Sequence, residues 1–330
     1  MERHKSVYSN GSFNKVSLSS SEKELYKKRW GRISNNIPLD SVIIGKSLSG
    51  TFNVDIVPEE LYAYLIEKEL NTYSCITFLE TKSIYNKWFD KGIFPLDYFH
   101  CIDSVFYDIN LNVITDINDF VSSLNINFPV VFKPSIDSYG GANVYFLNTK
   151  VELMDLIYQF ENFVVQEKIR QHDEINLINK GSINTIRVCL FRSKESKTLN
   201  VINCSIRMGK GGSLDNETAG GIVCSIDETG VLNDYAVDKY AIKYLEHPDS
   251  KFVFKGKLIP LYHELIEKSI QIGEKILYAN IMSLDMCLDS EGNWRCIEVN
   301  LSGQTIRFAQ YAGKPFFGRF TDEILKTLSK

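Results

Sequence analysis

Apolar and polar positions alternate along the chain with two periods, and the switches between them mark the elements. Leu18-Ser19-Ser20-Ser21-Glu22 puts Ser19 and Glu22 at capping-box spacing, so a helix is predicted to start there and run through Trp30. A second helix follows Pro58, from Glu59 to about Leu70, with Leu61, Tyr62, Leu65 and Ile66 on one face. Residues 71–125 alternate short apolar runs with polar turns, with a helix around 81–91 closed by Pro95. From residue 128 the period becomes two. FPVVFKPS, IDSYGGANVYFL and FVVQEKI read as strands, with a short helix at 150–161 between the last two. NTIRVCLFR and LNVINCSIRM, joined by the polar turn SKESKT, read as an antiparallel hairpin, followed by the glycine-rich loop 209–221. An amphipathic helix spans Pro260 to Asn280, and FTDEILKTLSK ends the chain helically.

Between those last two helices lies LDMCLDSEGNWRCIEVN, residues 284–300. A two-residue loop at Glu291-Gly292 would place Asp285 directly opposite Glu298, with Asn300 on the same face two residues on. Like charges opposed across a strand pair destabilise it. Either a hard divalent cation such as Mg²⁺ sits among these three oxygen donors, or the face is solvated and each carboxylate meets a lysine. A three-residue loop would shift the register and spoil the convergence.

Three further stretches carry chemistry, each with an ordinary alternative. In VVFKPSIDSYGGANV, Lys133 leaves an apolar strand just before a Ser/Gly loop containing Ser138, Gly140 and Gly141. Flexible glycine backbone and an ammonium suit phosphate oxygens; the alternative is a β-turn beside a surface lysine. In FVVQEKIRQHDEI, Gln166, Glu167 and Lys168 end a strand and Glu174 follows seven residues after Glu167. This suits an adenine edge and ribose hydroxyls, or simply an edge strand with charged ends. Arg187 and Arg207 interrupt apolar runs on paired strands, so they must meet an internal carboxylate or an anionic ligand.

Composition narrows the classes. The chain has 330 residues, 44% hydrophobic and 24% charged, enough for two or three lobes. A net charge of −4 without a long basic block disfavours nucleic acid as the main partner. The seven cysteines show no CxxC spacing and several fall in strands, as expected of a reducing compartment. No run reaches about 18 apolar residues, and no signal-peptide stretch opens the chain, so the expectation is a cytoplasmic protein without an integral membrane segment. Gly45-Lys46-Ser47 is not a Walker A end, because position 40 is Asp40. HExxH, GxSxG and GxGxxG are all absent, which removes zincin, serine-hydrolase and Rossmann readings.

The order of these signals — lysine with glycine loop, hinge-like strand end, arginines inside strands, then Asp…Glu-x-Asn — resembles the ATP-grasp superfamily. More narrowly, NTIRV (184–188), DNETAGGIVCSID (215–227) and IEVN (297–300) resemble the sugar-transfer-associated ATP-grasp proteins of surface-polysaccharide biosynthesis. The resemblance implies an α+β, ATP-grasp fold in which two α/β lobes with antiparallel sheets grip ATP, plus a small N-terminal α/β region. It implies a helical accessory region at 1–70, an N-terminal α/β lobe at 71–125, a nucleotide-gripping subdomain at 126–180 and a catalytic subdomain at 181–330. By position, Lys133 would contact the α/β-phosphates, Ser138 to Gly141 would form the phosphate loop, Gln166, Glu167 and Lys168 the adenine hinge, and Glu174 would take the ribose. Asp285, Glu298 and Asn300 would bind Mg²⁺, while Arg187 and Arg207 would stabilise the transferring phosphoryl group.

Lys82 would match an earlier phosphate lysine, although Thr81 replaces the usual Asp before it. LSGQTI after Asn300 lacks a common proline. The implied activity is carboxylate–amine ligation through an acyl phosphate, using ATP and Mg²⁺, with a uronate or nucleotide sugar and an amine such as an amino acid as substrates. Its alternatives are phosphoryl transfer to a sugar, or a non-catalytic nucleotide-binding partner of a glycosyltransferase. Residues 1–70 are left for acceptor binding or a homodimer contact.

Overall fold

A computed structural model describes residues 4–329, apart from 10, 12, 137–141, 214 and 216–219. Twelve strands form two antiparallel sheets. The first contains β1 (Asp97–Ile102), β2 (Val105–Tyr107), β3 (Val130–Pro134), β4 (Tyr145–Leu147) and β5 (Phe163–Glu167), in the order β2-β1-β5-β3-β4. The second contains β6 (Thr185–Arg192), β7 (Leu199–Met208), β8 (Ile222–Ile226), β9 (Leu232–Val237), β10 (Lys243–Tyr244), β11 (Ile281–Leu288) and β12 (Trp294–Asn300), in the order β10-β9-β8-β7-β6-β11-β12. The architecture is α+β.

Local chemistry explains most element starts. Ser19 accepts from the backbone N–H of Glu22 and the Glu22 carboxylate accepts from that of Ser19, which opens the helix Ser20–Trp30 as expected. The helical stretch after Pro58 runs from Glu59 to Leu70 with a wider π turn at Tyr62–Ile66. Lys46 of the rejected phosphate motif sits in the helix Asp40–Ser49 and pairs with Glu22 at 2.8 Å.

Among the described residues the region before Asp97 is helical, and the segment 71–125 carries β1 and β2. The division at 125/126 also runs through one sheet, because Asp97 of β1 pairs with Gln166 of β5. Strand partners so far apart in sequence leave no local signature, so the apolar runs before and after residue 125 looked separable. The helices predicted at 81–91, 150–161 and 260–280 are shorter, at Lys82–Trp88 (its first turn 3₁₀), Lys150–Leu156 and Tyr262–Glu274.

The two faces of the seven-stranded sheet explain where the site opens. Ile186, Val188, Leu190, Met282, Leu284 and Met286 point to one side and pack with Leu265 and Ile272 of the helix Tyr262–Glu274. That helix comes close because position 273 is glycine; a Cβ there would lie 2.5 Å from Leu199 Cδ2. On the other face, Phe191, Cys189 and Ile281 pack against Trp30, Tyr62, Phe316 and Phe317 of the N- and C-terminal regions. With period two that same face continues from Phe191 and Cys189 to Arg187, and from Ile281 and Ser283 to Asp285. The core face thus becomes a polar face within two residues of each strand.

Candidate functional site

All eight residues of β11 are buried, Asp285 among them. A buried carboxylate needs paired charge and hydrogen bonds. Arg187, directly across on β6, supplies a fork: Nε donates to Oδ1 and Nη2 to Oδ2, both at 2.8 Å. Arg207 Nη1 donates to Oδ2 at 3.0 Å, and Asn300 Nδ2 approaches the same oxygen at 3.5 Å. Burial alone would push the Asp285 carboxyl up, but Arg187 and Arg207 outweigh it and hold it at about 2. Of the two fates expected for these arginines, the described partner is the internal carboxylate.

Asp285 does face Glu298, and Ser283 faces Asn300. The route to that register differs from the expected two-residue loop. Asp289 N–H and Asn293 C=O close a loop of three residues, with Gly292 at φ +81 supplying the left-handed turn position. Leu288 therefore pairs with Trp294 and Met286 with Cys296, one residue out of step. A bulge at Ile297 then restores the register, so that Asp285 meets Glu298 after all. The bulged residue turns its carbonyl toward the other sheet, where Lys133 Nζ donates to it at 3.2 Å.

Lys82 completes this side, with Nζ 2.8 Å from Glu298 Oε1. Glu298 is about a third exposed (31%), whereas the Lys82 side chain is 9% exposed. Burial, then the neighbouring Lys82, push the Lys133 ammonium down to about 8. The question raised by the opposed carboxylates has a two-part answer in the protein alone: arginines neutralise Asp285 and a lysine neutralises Glu298. Of the alternative, a solvated face with a lysine on each carboxylate, only the lysine on Glu298 is present: Asp285 meets arginines and is buried.

A small cleft of about 20 Å³ opens beside the arginines. Arg187, Arg207, Ser205, Ser283, Gln304 and Thr305 give it a polar side, and Ile306, Phe308 and Phe316 an apolar one. Its Gln304 wall is held by two carboxylates that sequence reading missed. Glu67 accepts from the backbone N–H groups of Gly303 and Gln304, at 3.0 and 2.9 Å. Glu80 accepts from those of Leu301 and Ser302, at 2.7 and 3.0 Å. Both come from the N-terminal helical region, over 220 residues away. Their sequence context gives no signal, since Glu67 stands next to Lys68 and Glu80 two residues before Lys82.

The hinge residues are placed differently from expectation. Gln166 lies in the central strand β5, buried, with Nε2 donating to Asp97 Oδ1 at 2.6 Å. Its side chain is committed within the sheet. Asp97 was unforeseen, and burial pushes its carboxyl up. Glu167 accepts from Leu96 N–H and from Arg295 Nη2, both at 2.9 Å. Arg295 also reaches Asp289 in the hairpin loop, at 3.3 Å. Ser290 N–H donates to Arg170 C=O and His172 N–H to Leu288 C=O, so the strand end and the hairpin loop are one tied unit. Lys168 Nζ lies 5.1 Å from the centre of the Phe146 ring. Glu174 is exposed at the start of the short helix Asp173–Asn176. Ser138, Gly140 and Gly141, expected in the phosphate loop, lie outside the described residues.

The donor set is consistent with a divalent cation. Asp285, Glu298 and Asn300 offer hard oxygen ligands on one sheet face, and Asp285 is held ionised. Among the described residues no cluster of three His, Cys, Asp or Glu side chains could hold a metal. The model of the sugar-transfer associated ATP-grasp family matches residues 63–322.

The chain belongs to the sugar-transfer associated ATP-grasp family.

No curated protein matches it. Solved structures with similarity to this ATP-grasp chain include the biotin carboxylase domain of 2-oxoglutarate carboxylase from Hydrogenobacter thermophilus, solved with magnesium ADP and bicarbonate. It is 12% identical, over 81% of this chain and 52% of that one, with a TM-score of 0.48. VanG D-Ala:D-Ser ligase from Enterococcus faecalis is 12% identical, over 76% and 62%, with a TM-score of 0.45. L-amino acid ligase from Bacillus licheniformis is 11% identical, over 74% and 46%, with a TM-score of 0.42. This chain thus spans between 46% and 62% of the length of these three chains. No helix among the described residues is long and apolar enough to cross a membrane.

Proposed function

We propose that this ATP-grasp protein is an ATP- and Mg²⁺-dependent carboxylate–amine ligase acting on a uronic acid or amino-acid-bearing sugar in surface-polysaccharide (capsule or O-antigen) biosynthesis in the cytoplasm. The observation that carries the reading is the meeting of Lys82, Lys133, Glu298, Asp285 and two arginines where the sheets approach, beside a cleft lined by the same arginines. Such a place suits the transfer of a phosphoryl group, which needs positioning and dense positive charge more than covalent chemistry.

In this reading Lys82 and Lys133 take nucleotide phosphates, Glu174 takes the ribose, and the backbone beyond Glu167 faces the adenine. Asp285, Glu298 and Asn300 hold Mg²⁺, which when bound shields the charge of the phosphates. The substrate carboxylate lies in the cleft against Arg187 and Arg207. Its oxygen attacks the γ-phosphorus, the bond to the ADP oxygen breaks, and ADP leaves with that electron pair. An amine nitrogen then attacks the acyl carbon, phosphate leaves, and the nitrogen gives up a proton to yield the amide. The mixed polar and apolar lining suits a sugar ring better than a highly charged polymer.

ADP release measured with hydroxylamine across a panel of uronates and nucleotide-linked uronates tests the reaction. Hydroxamate formed in step with ADP supports the ligase. ADP release with a hydroxylamine-stable phosphate ester would replace it with a phosphotransferase, and no ADP release across the panel would favour a non-catalytic nucleotide-binding role.

A further inference from the structure

Each carboxylate assigned to the metal is already paired with a cation assigned to the substrate's phosphates or acyl phosphate. Both Asp285 oxygens accept from Arg187, and Oδ2 accepts from Arg207 as well. Glu298 Oε1 lies 2.8 Å from Lys82 Nζ, and the Lys133 ammonium is close enough for Lys82 to depress it. A bare divalent cation entering here must displace a cation from its carboxylate and then sit beside it. A nucleotide supplies the anionic oxygens that the displaced cation needs.

We propose that metal and nucleotide enter this site only together, by an exchange of ion pairs in which Lys82 moves from Glu298 to phosphate oxygens as the metal takes Glu298. This inference rests on the nucleotide reading above and deepens it. Lys82 is the movable partner and Asp285 the fixed one: Glu298 is 31% exposed and meets Lys82 through one oxygen, whereas Asp285 is buried in a bidentate fork. The pairs keep like charges apart in the free protein and prevent metal from occupying the site ahead of the nucleotide.

The test uses the full chain and two probes: Mn²⁺ alone, followed by the loss of its free electron-paramagnetic-resonance signal, and AMP-PNP with or without Mg²⁺, followed by calorimetry. The wild type should retain no Mn²⁺ alone up to millimolar concentration, yet bind Mg-AMP-PNP. Lys82→Met should move the two affinities in opposite directions, Mn²⁺ alone tightening at least tenfold and Mg-AMP-PNP weakening at least tenfold. Glu298→Gln, which changes little in shape, should tighten AMP-PNP in the absence of metal and remove most of the Mg²⁺ dependence. Mn²⁺ binding equally to wild type and Lys82→Met, or both affinities of Lys82→Met moving the same way, overturns the exchange while leaving the nucleotide site standing. Failure of the wild type to bind Mg-AMP-PNP overturns both.

Discussion

Asp285 and Glu298 face each other on neighbouring strands, yet they sit in different electrostatic regimes. Asp285 lies in a fully buried strand, under two guanidinium groups that hold its carboxyl at about 2. Glu298 lies on the edge strand β12, a third exposed, opposite the lysines that approach from the 82–88 helix and the five-stranded sheet. The difference is between a charge that builds the site and a charge that can change partners. Removing one member of a buried pair strands the other in low dielectric; the Lys82–Glu298 pair, whose carboxylate is a third exposed, costs less to part than the buried fork on Asp285.

Several experiments would break or sharpen that contrast. The largest effect is expected for Asp285→Asn, which leaves Arg187 and Arg207 without their carboxylate and should destabilise the protein by about 3–5 kcal/mol. Glu298→Gln keeps the shape but takes the carboxylate from Lys82, and should cost less, about 1–3 kcal/mol. Chemical denaturation of both variants measures the gap, and equal losses would erase the distinction drawn between the two carboxylates.

The loop 301–304 beside the fixed carboxylate comes next. Glu67→Gln sets an amide nitrogen against backbone donors and should cost about 1–3 kcal/mol. Hydrogen exchange at Gly303 and Gln304 should rise with it, while exchange in β6 should not. A smaller loss, about 1–2 kcal/mol from the broken charge-assisted bonds, is expected of Arg295→Met, which unties Glu167 from the hairpin loop. Increased proteolysis near residues 168–172 would report the loosening, and unchanged cleavage would count against the tie.

The exchangeable side should show a pH dependence. Lys133 sits at about 8 because burial, and then Lys82, disfavour its ammonium. The cation that phosphate needs is present below that value and lost above it, so nucleotide affinity should fall as pH rises through about 8, and the fall should vanish in Lys133→Met. For the ligand-free protein the sign is opposite. The unfolded chain keeps the lysine proton until about pH 10.4, so it binds more protons than the folded chain between about 8 and 10.4. This group's contribution to stability therefore rises across that window.

What could be read from the sequence follows the same divide between local and distant causes. The pairing of Asp285 with Glu298 was legible because a turn and an alternating pattern lie within a few residues of both. It was reached through two departures that cancel, a three-residue loop and a bulge at Ile297, neither of which alternation alone reveals. The arginines announced themselves as charges in apolar strands, and the sequence required a partner without naming it. Nothing in FVVQEKI says whether the strand of Gln166 is central or at an edge; β1 makes it central from nearly seventy residues upstream. Asp97, Glu67 and Glu80 were missed for the same reason, since each acts on a partner 69 or more residues away. Lys82 could be placed only by resemblance, and its contact with Glu298 needed the packing of the 82–88 helix against β12.

The measurement that tests the central claim most directly is thermal unfolding of the wild type and Glu298→Gln with and without Mg-ATP. At about 100 times its dissociation constant the ligand should stabilise the wild type by roughly 2.7 kcal/mol. The Mg²⁺-dependent part of that shift should disappear in the variant. No shift at millimolar Mg-ATP, or an equal Mg²⁺-dependent shift in both proteins, would contradict the assignment of these carboxylates to a metal–nucleotide site.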